Sequence, residues 1–109
     1  MHIESFREYC IGKKGVTEEF PFDETTLVFK VMGKMFALAD LDFFESINLK
    51  CDPYRSIELR EKYTGITSGY HMNKKHWNTV KMDGSVPDKL VKELIDHSYT
   101  LVINKLPRS

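Results

Sequence analysis

Leu27-Val28-Phe29-Lys30-Val31-Met32-Gly33-Lys34-Met35-Phe36-Ala37-Leu38-Ala39 decides the fold. Leu27 to Met32 combines β-branched and aromatic side chains with a single charge and reads as a strand. Met35 to Ala39 repeats that character after Gly33-Lys34. A two-residue loop with glycine first suits a type II′ turn, because glycine accepts the positive φ required there. The stretch therefore predicts two adjacent antiparallel strands.

Working outward, Ser46-Ile47-Asn48-Leu49-Lys50 alternates polar and apolar residues with period two and predicts a third strand, with Ile47 and Leu49 toward the core. Upstream of the hairpin, Phe20-Pro21-Phe22-Asp23 is a Pro-marked turn. Ile3, Phe6, Tyr9 and Cys10 recur at helical spacing and open the chain with a short amphipathic helix, which Gly12 and Gly15 end. Downstream, Asp52 caps and Pro53 starts a second helix reaching about Tyr63, stopped by Thr64-Gly65. Ile66 to Asn73 carries mixed signals. His76-Trp77-Asn78-Thr79-Val80-Lys81-Met82 alternates again as a strand, and Asp83-Gly84 turns it. Ser85, Pro87 and Asp88 form a helix start of capping-box type. Leu90, Val91, Leu94, Ile95, Leu101, Val102 and Leu106 then mark one apolar face over about 20 residues, roughly 30 Å of helix, closed by Pro107. No repeat, low-complexity tract or linker interrupts this order. The fold class is α+β: an antiparallel sheet with helices covering one face.

With 109 residues, 41% of them hydrophobic, the chain 1–109 is expected to be one domain able to bury its own core without disulfide or metal. No apolar run is long enough to span a bilayer, and the N-terminus is polar and acidic, so neither secretion nor membrane insertion is expected. Cys10 and Cys51 lie far apart without CxxC companions, which points to reduced, buried thiols in a cytoplasmic protein. Charge is zero overall but polarised: residues 1–50 sum to −3 and residues 51–109 to +3. From Lys62 to Met82, 21 residues hold four lysines and no acid.

Chemistry needs convergent groups, and the sequence contains no GxSxG, P-loop, GxGxxG or HExxH pattern. His71 and His76, five apart, share neither a helical nor a strand face, so no metal site is expected there. Asp96 and His97 are adjacent and point about 100° apart on a helix, which disfavours a carboxylate-oriented catalytic histidine and suits a partly buried structural one. Glu4, Glu8, Glu18, Glu19, Asp23 and Glu24 make an acidic surface, ordinarily a solvated face and otherwise a weak holder of hard cations. Nucleic-acid binding needs lysines for phosphate and aromatic faces for stacking. The acid-free window supplies Lys74, Lys75 and Lys81 with Tyr70, His71, His76 and Trp77 among them. On a strand from His76, Trp77, Thr79 and Lys81 share one side; the plainer reading makes Trp77 a core anchor and the lysines solubilising residues.

The chain resembles the MmcQ/YjbR family of small bacterial proteins over nearly its whole length, from Ile3-Glu4-Ser5-Phe6-Arg7-Glu8-Tyr9-Cys10 through Leu106-Pro107. The resembling blocks are Gly15-Val16-Thr17-Glu18-Glu19-Phe20-Pro21-Phe22, Asn48-Leu49-Lys50-Cys51-Asp52-Pro53, Gly69-Tyr70-His71-Met72-Asn73-Lys74-Lys75-His76-Trp77-Asn78-Thr79-Val80 and Leu94-Ile95-Asp96-His97-Ser98-Tyr99. The resemblance implies a two-layer sandwich of the frataxin-like (CyaY-like) kind and a DNA-binding role with a "double wing" arrangement, in a family with no established enzymatic activity or cofactor. The sequence departs from the family pattern at Lys14, where proline commonly precedes Gly15, and at Asp23, where glycine commonly follows Phe-Pro-Phe.

These readings combine into one expectation: a non-enzymatic, monomeric, cytoplasmic module that binds DNA weakly and in a salt-dependent way. Lys74, Lys75 and Lys81 would contact phosphate, with Tyr70, His71 and Trp77 at or near the surface. The alternative is a frataxin-like metal-binding or protein-partner adaptor that uses Glu4, Glu8, Glu18 and Glu19. An enzyme centred on His71, His76 and His97 is the third reading.

Overall fold

A computed structural model describes residues 1–69 and 72–105. The elements run α1 (Ile3–Ile11), β1 (Val16–Glu19), β2 (Thr26–Val31), β3 (Lys34–Asp40), β4 (Ser46–Lys50), α2 (Pro53–Lys62), β5 (Ile66–Ser68), β6 (Trp77–Lys81) and α3 (Asp88–Asn104). All strands join one antiparallel sheet in the order β1-β2-β3-β4-β6-β5. The α+β layering read from the sequence is therefore the observed one.

The helices share a face because alternation presents one apolar set to them. Leu27, Phe29 and Val31 of β2, Ile47 and Leu49 of β4 and Val80 of β6 join Phe6 and Cys10 of α1, Leu59 of α2 and Val91, Leu94, Ile95 and Val102 of α3 in one core. Phe6 meets Phe29 edge-on with ring centroids 5.6 Å apart, a favoured aromatic geometry. Asp52 caps α2 as expected, its carboxylate accepting from the Arg55 amide at 3.0 Å, with Pro53 in the first turn.

The hairpin turn lies one residue earlier than its sequence suggests. Val31 pairs with Lys34, so Met32 and Gly33 form the loop, with φ of 52° and 77°. Positive φ at both central residues marks a type I′ turn, whose twist matches the strands, rather than the type II′ turn expected at Gly33-Lys34. Phe29 opposes Ala37 while Lys30 opposes Met35, making Phe36 the extra residue of a β-bulge. The bulge turns Phe36 into the core, where its ring stands edge-on to Tyr99 at 5.4 Å.

Two short strands, β1 and β5, add to those expected. The capping box is not formed: the Ser85 amide and hydroxyl both donate to Asp83, at 3.0 and 2.6 Å, and Pro87 occupies the N-cap of α3 without a side-chain cap. The carboxylate two residues earlier closes a tight turn and takes the serine away from the helix. Along α3 the buried stripe is Val91, Leu94, Ile95, Ser98 and Val102, with Leu90 and Leu101 half-buried. The expected contribution of Leu106 and the stop at Pro107 lie outside the described residues.

Candidate functional site

The sheet face away from the helices carries the sequence-predicted strand residues. Register places Trp77, Thr79 and Lys81 of β6 opposite Lys50, Asn48 and Ser46 of β4, so the shared side expected for the three holds. Trp77 is 7% exposed and packs with Val28 and Leu38, covered in part by Met35 and Met72, as a second and smaller apolar cluster. Its ring is an anchor of this face, and the Lys50 Nζ stands 5.9 Å from its centroid. Burial, then Lys105 and Lys34, lower the Lys50 pKa. Beside Trp77 the face becomes polar: the Thr79 hydroxyl donates to Asn48 Oδ1 at 2.6 Å.

Lys74 and Lys75 stand exposed in the loop before β6, and that loop is held firmly. Arg60 of α2 donates through Nε to Asn78 Oδ1 (2.9 Å) and through Nη2 to the carbonyls of Lys74 (2.6 Å) and Trp77 (3.3 Å). Asn73 Oδ1 accepts from the Lys75 amide at 3.0 Å, and its carbonyl accepts from the Trp77 amide at 3.0 Å. Gly69 fits the other side because a Cβ there would lie 2.8 Å from the Trp77 Cβ. The guanidinium thus sits directly behind the two lysines, adding a cation that sequence reasoning did not single out. Its signal was the i, i+4 relation of buried Ser56 and half-buried Arg60, which both reach Asn78.

Lys81 is exposed at the far end of β6, about 13 Å from the strand's start at roughly 3.3 Å per residue. The structure therefore brings Lys74, Lys75 and Arg60 together and leaves Lys81 apart. Tyr70 and His71 lie outside the described residues.

Several other titratable groups take part in bonds that hold the fold. Arg7 forms an ion pair with Glu18, and Lys30 lies 3.6 Å from Glu19. Asp96 accepts from the Tyr9 hydroxyl at 2.8 and 2.9 Å and pairs with Lys13, whose Nζ lies 4.9 Å and 5.3 Å from the ring centroids of Tyr9 and Tyr99. Desolvation and Asp96 push the Tyr9 pKa up to about 12. His97 turns away from Asp96, as the helical angle requires, and its Nε2 accepts from the Asp52 amide at 3.1 Å. Cys10 and Cys51 are buried and unpaired, and burial pushes the Cys10 thiol up to about 12. Among the described residues no three His, Cys, Asp or Glu side chains gather as a metal site, and no helix is long and apolar enough to cross a membrane.

The YjbR family model matches residues 11–101. The chain belongs to the YjbR family. Escherichia coli (strain K12) YjbR is 32% identical over 108 residues, spanning 98% of this chain and 92% of that one. YbdF of Escherichia coli O157:H7 is 40% identical over 90 residues, spanning 82% and 74%. Among solved structures, Deinococcus radiodurans protein DR2400, described as a DUF419 domain, superposes with a TM-score of 0.89 at 45% identity, covering 94% of this chain and 79% of that one. A Pseudomonas syringae protein, target PsR293, gives 0.77 at 29% identity over 93% and 98%. The YjbR fold is thus shared along nearly the full chain, and with it the sheet that carries the Lys74-Lys75 loop.

Proposed function

We propose that this YjbR-family protein is a non-enzymatic, monomeric, cytoplasmic module that binds nucleic acid through its phosphate backbone. Lys74 and Lys75 carry the proposal: they stand exposed on a braced loop with Arg60 behind them, and none of the three has a carboxylate partner among the described residues. The bonds fix the loop backbone beneath the two lysines, so less backbone ordering entropy opposes the binding of an anion there. Lys81 supplies a separate, weaker contact farther along the face. Trp77 serves by anchoring β6, from which the loop projects. The involvement of Asp96, His97 and the Glu18 and Glu19 carboxylates in structural bonds supports a binding role over catalysis or metal capture. The buried, unpaired thiols are consistent with a reducing compartment.

Zero net charge gives no long-range attraction, so affinity is modest and salt-sensitive. Fluorescence anisotropy with labelled duplex and single-stranded oligonucleotides across a salt series tests this. Three lysine contacts give a log-log slope of magnitude about 3 on duplex DNA, at about 0.9 per contact. Absence of binding to either oligonucleotide at low salt would reject the proposal.

A further inference from the structure

Tyr54 and Ile57 stand on one face of α2, three residues apart, and are 81% and 54% exposed. Together with Pro53 they line a hollow of about 440 Å³ whose other walls are Arg60, Lys75 and His76. That volume falls within the range of small-ligand sites. The α2 carboxylates Glu58 and Glu61 do not line it. An open aromatic ring, an apolar neighbour and cations thus meet in one concavity, at the loop assigned above to phosphate.

We infer that Tyr54 is a stacking platform and that the hollow it forms with Ile57, Arg60, Lys75 and His76 takes one unpaired base of a single-stranded nucleic acid, with the adjoining phosphates on Lys74 and Lys75. This rests on the nucleic-acid reading and adds to its phosphate contacts, which a duplex can also make, a base contact open to single strands alone. A paired base keeps both faces stacked inside the duplex and cannot lie on Tyr54, whereas an unpaired base presents a free π-face. The aromatic contact that Trp77 is too buried to make is supplied by a different residue, on a different element. Charge selects the occupant: the concavity combines an aromatic ring with uncompensated cations, which suits a polyanion carrying flat rings.

The test is anisotropy with a labelled oligothymidylate and a labelled duplex at low salt, using the wild type, Tyr54→Ala, Tyr54→Phe and Lys74→Ala/Lys75→Ala. Because Tyr54 is exposed, Tyr54→Ala leaves the thermal midpoint nearly unchanged. Loss of one base–aromatic stack weakens oligothymidylate binding roughly 5- to 150-fold. Tyr54→Phe retains the stack and restores the affinity, and duplex binding stays within about twofold in both variants. Unchanged oligothymidylate binding by Tyr54→Ala, with affinity still lost in the lysine double variant, would overturn the platform and leave the phosphate loop standing. Failure of the wild type to bind either oligonucleotide would reject both. Tighter binding of a Phe-containing polyglutamate peptide than of the oligonucleotide, lost in Tyr54→Ala, would reassign the hollow to a protein partner and also overturn the inference.

Discussion

The Asp52 backbone N–H donates to Nε2 of His97 at 3.1 Å. The bond joins the start of α2 to the middle of α3, since Asp52 is the residue that caps α2. An Nε2 that accepts a hydrogen bond carries no proton, so this contact requires neutral imidazole.

That requirement gives the domain a pH dependence. Burial first, then the Arg55 charge, lower the His97 pKa below its usual 6.5. In the window just below pH 6.5 the unfolded chain binds more protons than the folded one, so stability falls as the solution is acidified. Its contribution is complete above about pH 6.5 and is lost as pH falls through the depressed folded value. Urea midpoints should fall on acidification through this window in the wild type, and His97→Gln should flatten that part of the profile. An equal pH dependence in both proteins would assign the effect to other groups.

Leu94 is buried on α3 whereas Leu101 is half-buried. Leu94→Ala should cost about 2 to 5 kcal/mol and Leu101→Ala clearly less. Both sit on the face that the apolar periodicity marks, so chemical denaturation of the pair tests burial against pattern. Equal losses would show that the stripe buries both alike.

Lys74→Ala with Lys75→Ala should lower the duplex salt slope by about 2, and Lys81→Ala by about 1 or less. None of the three changes should alter the unfolding free energy by more than about 0.5 kcal/mol, because the side chains are exposed. The measurement is the anisotropy salt series, and a slope indifferent to the double change would place the phosphate contacts elsewhere.

Arg60 braces its loop by donating to two carbonyls and one amide oxygen. Arg60→Ala should cost on the order of 1.5 to 3 kcal/mol, as for hydrogen bonds made by a charged group. It should also speed hydrogen exchange at the amides of Lys75 and Trp77. Arg60→Lys should not restore protection, since an ammonium lacks the planar fork that reaches separate acceptors. Full protection in the lysine variant would show that charge alone holds the loop.

Met32 adopts φ of 52° at the hairpin turn with its side chain exposed. Asparagine tolerates that conformation better, so Met32→Asn should raise stability by roughly 0.5 to 1 kcal/mol. A lower thermal midpoint in the variant would show that the methionine side chain holds something on the surface.

The same turn shows where sequence reading stops. Glycine at 33 signalled a loop, but which neighbour joins it depends on strand pairing, and the paired strands place a methionine in the left-handed region. Alternation carried β4 and β6 because each has five residues on which period two is visible. In β1 and β5, four and three residues leave no period to read. Trp77 and Lys81 were correctly set on one side of β6, yet both sides of that strand hold large apolar residues, so alternation alone did not say which side the helices cover. Ser98 shows another gap. It lies fully buried in the apolar stripe of α3, where its hydroxyl accepts the Lys50 amide (2.9 Å) and donates to the Phe36 carbonyl (2.5 Å). That polar position compensates the strand irregularity at the Phe36 bulge, which only the folded register reveals. The loop of Lys74 and Lys75 was legible as part of an acid-free run of lysines. The hollow beside it was not, because Tyr54 stands some twenty positions upstream, on α2.

The sheet order leaves β1 and β5 as its two margins. An open sheet invites strands from other molecules to add at its borders, and the hazard grows with the length of the unpaired row. Here one border is four residues long and carries Glu18 and Glu19, while the other is three residues long and is followed at Gly69 by an amide bonded back to Trp77 at 2.8 Å. Neither border is a long, flat, apolar template, so this architecture resists edge-to-edge aggregation although the sheet never closes into a barrel.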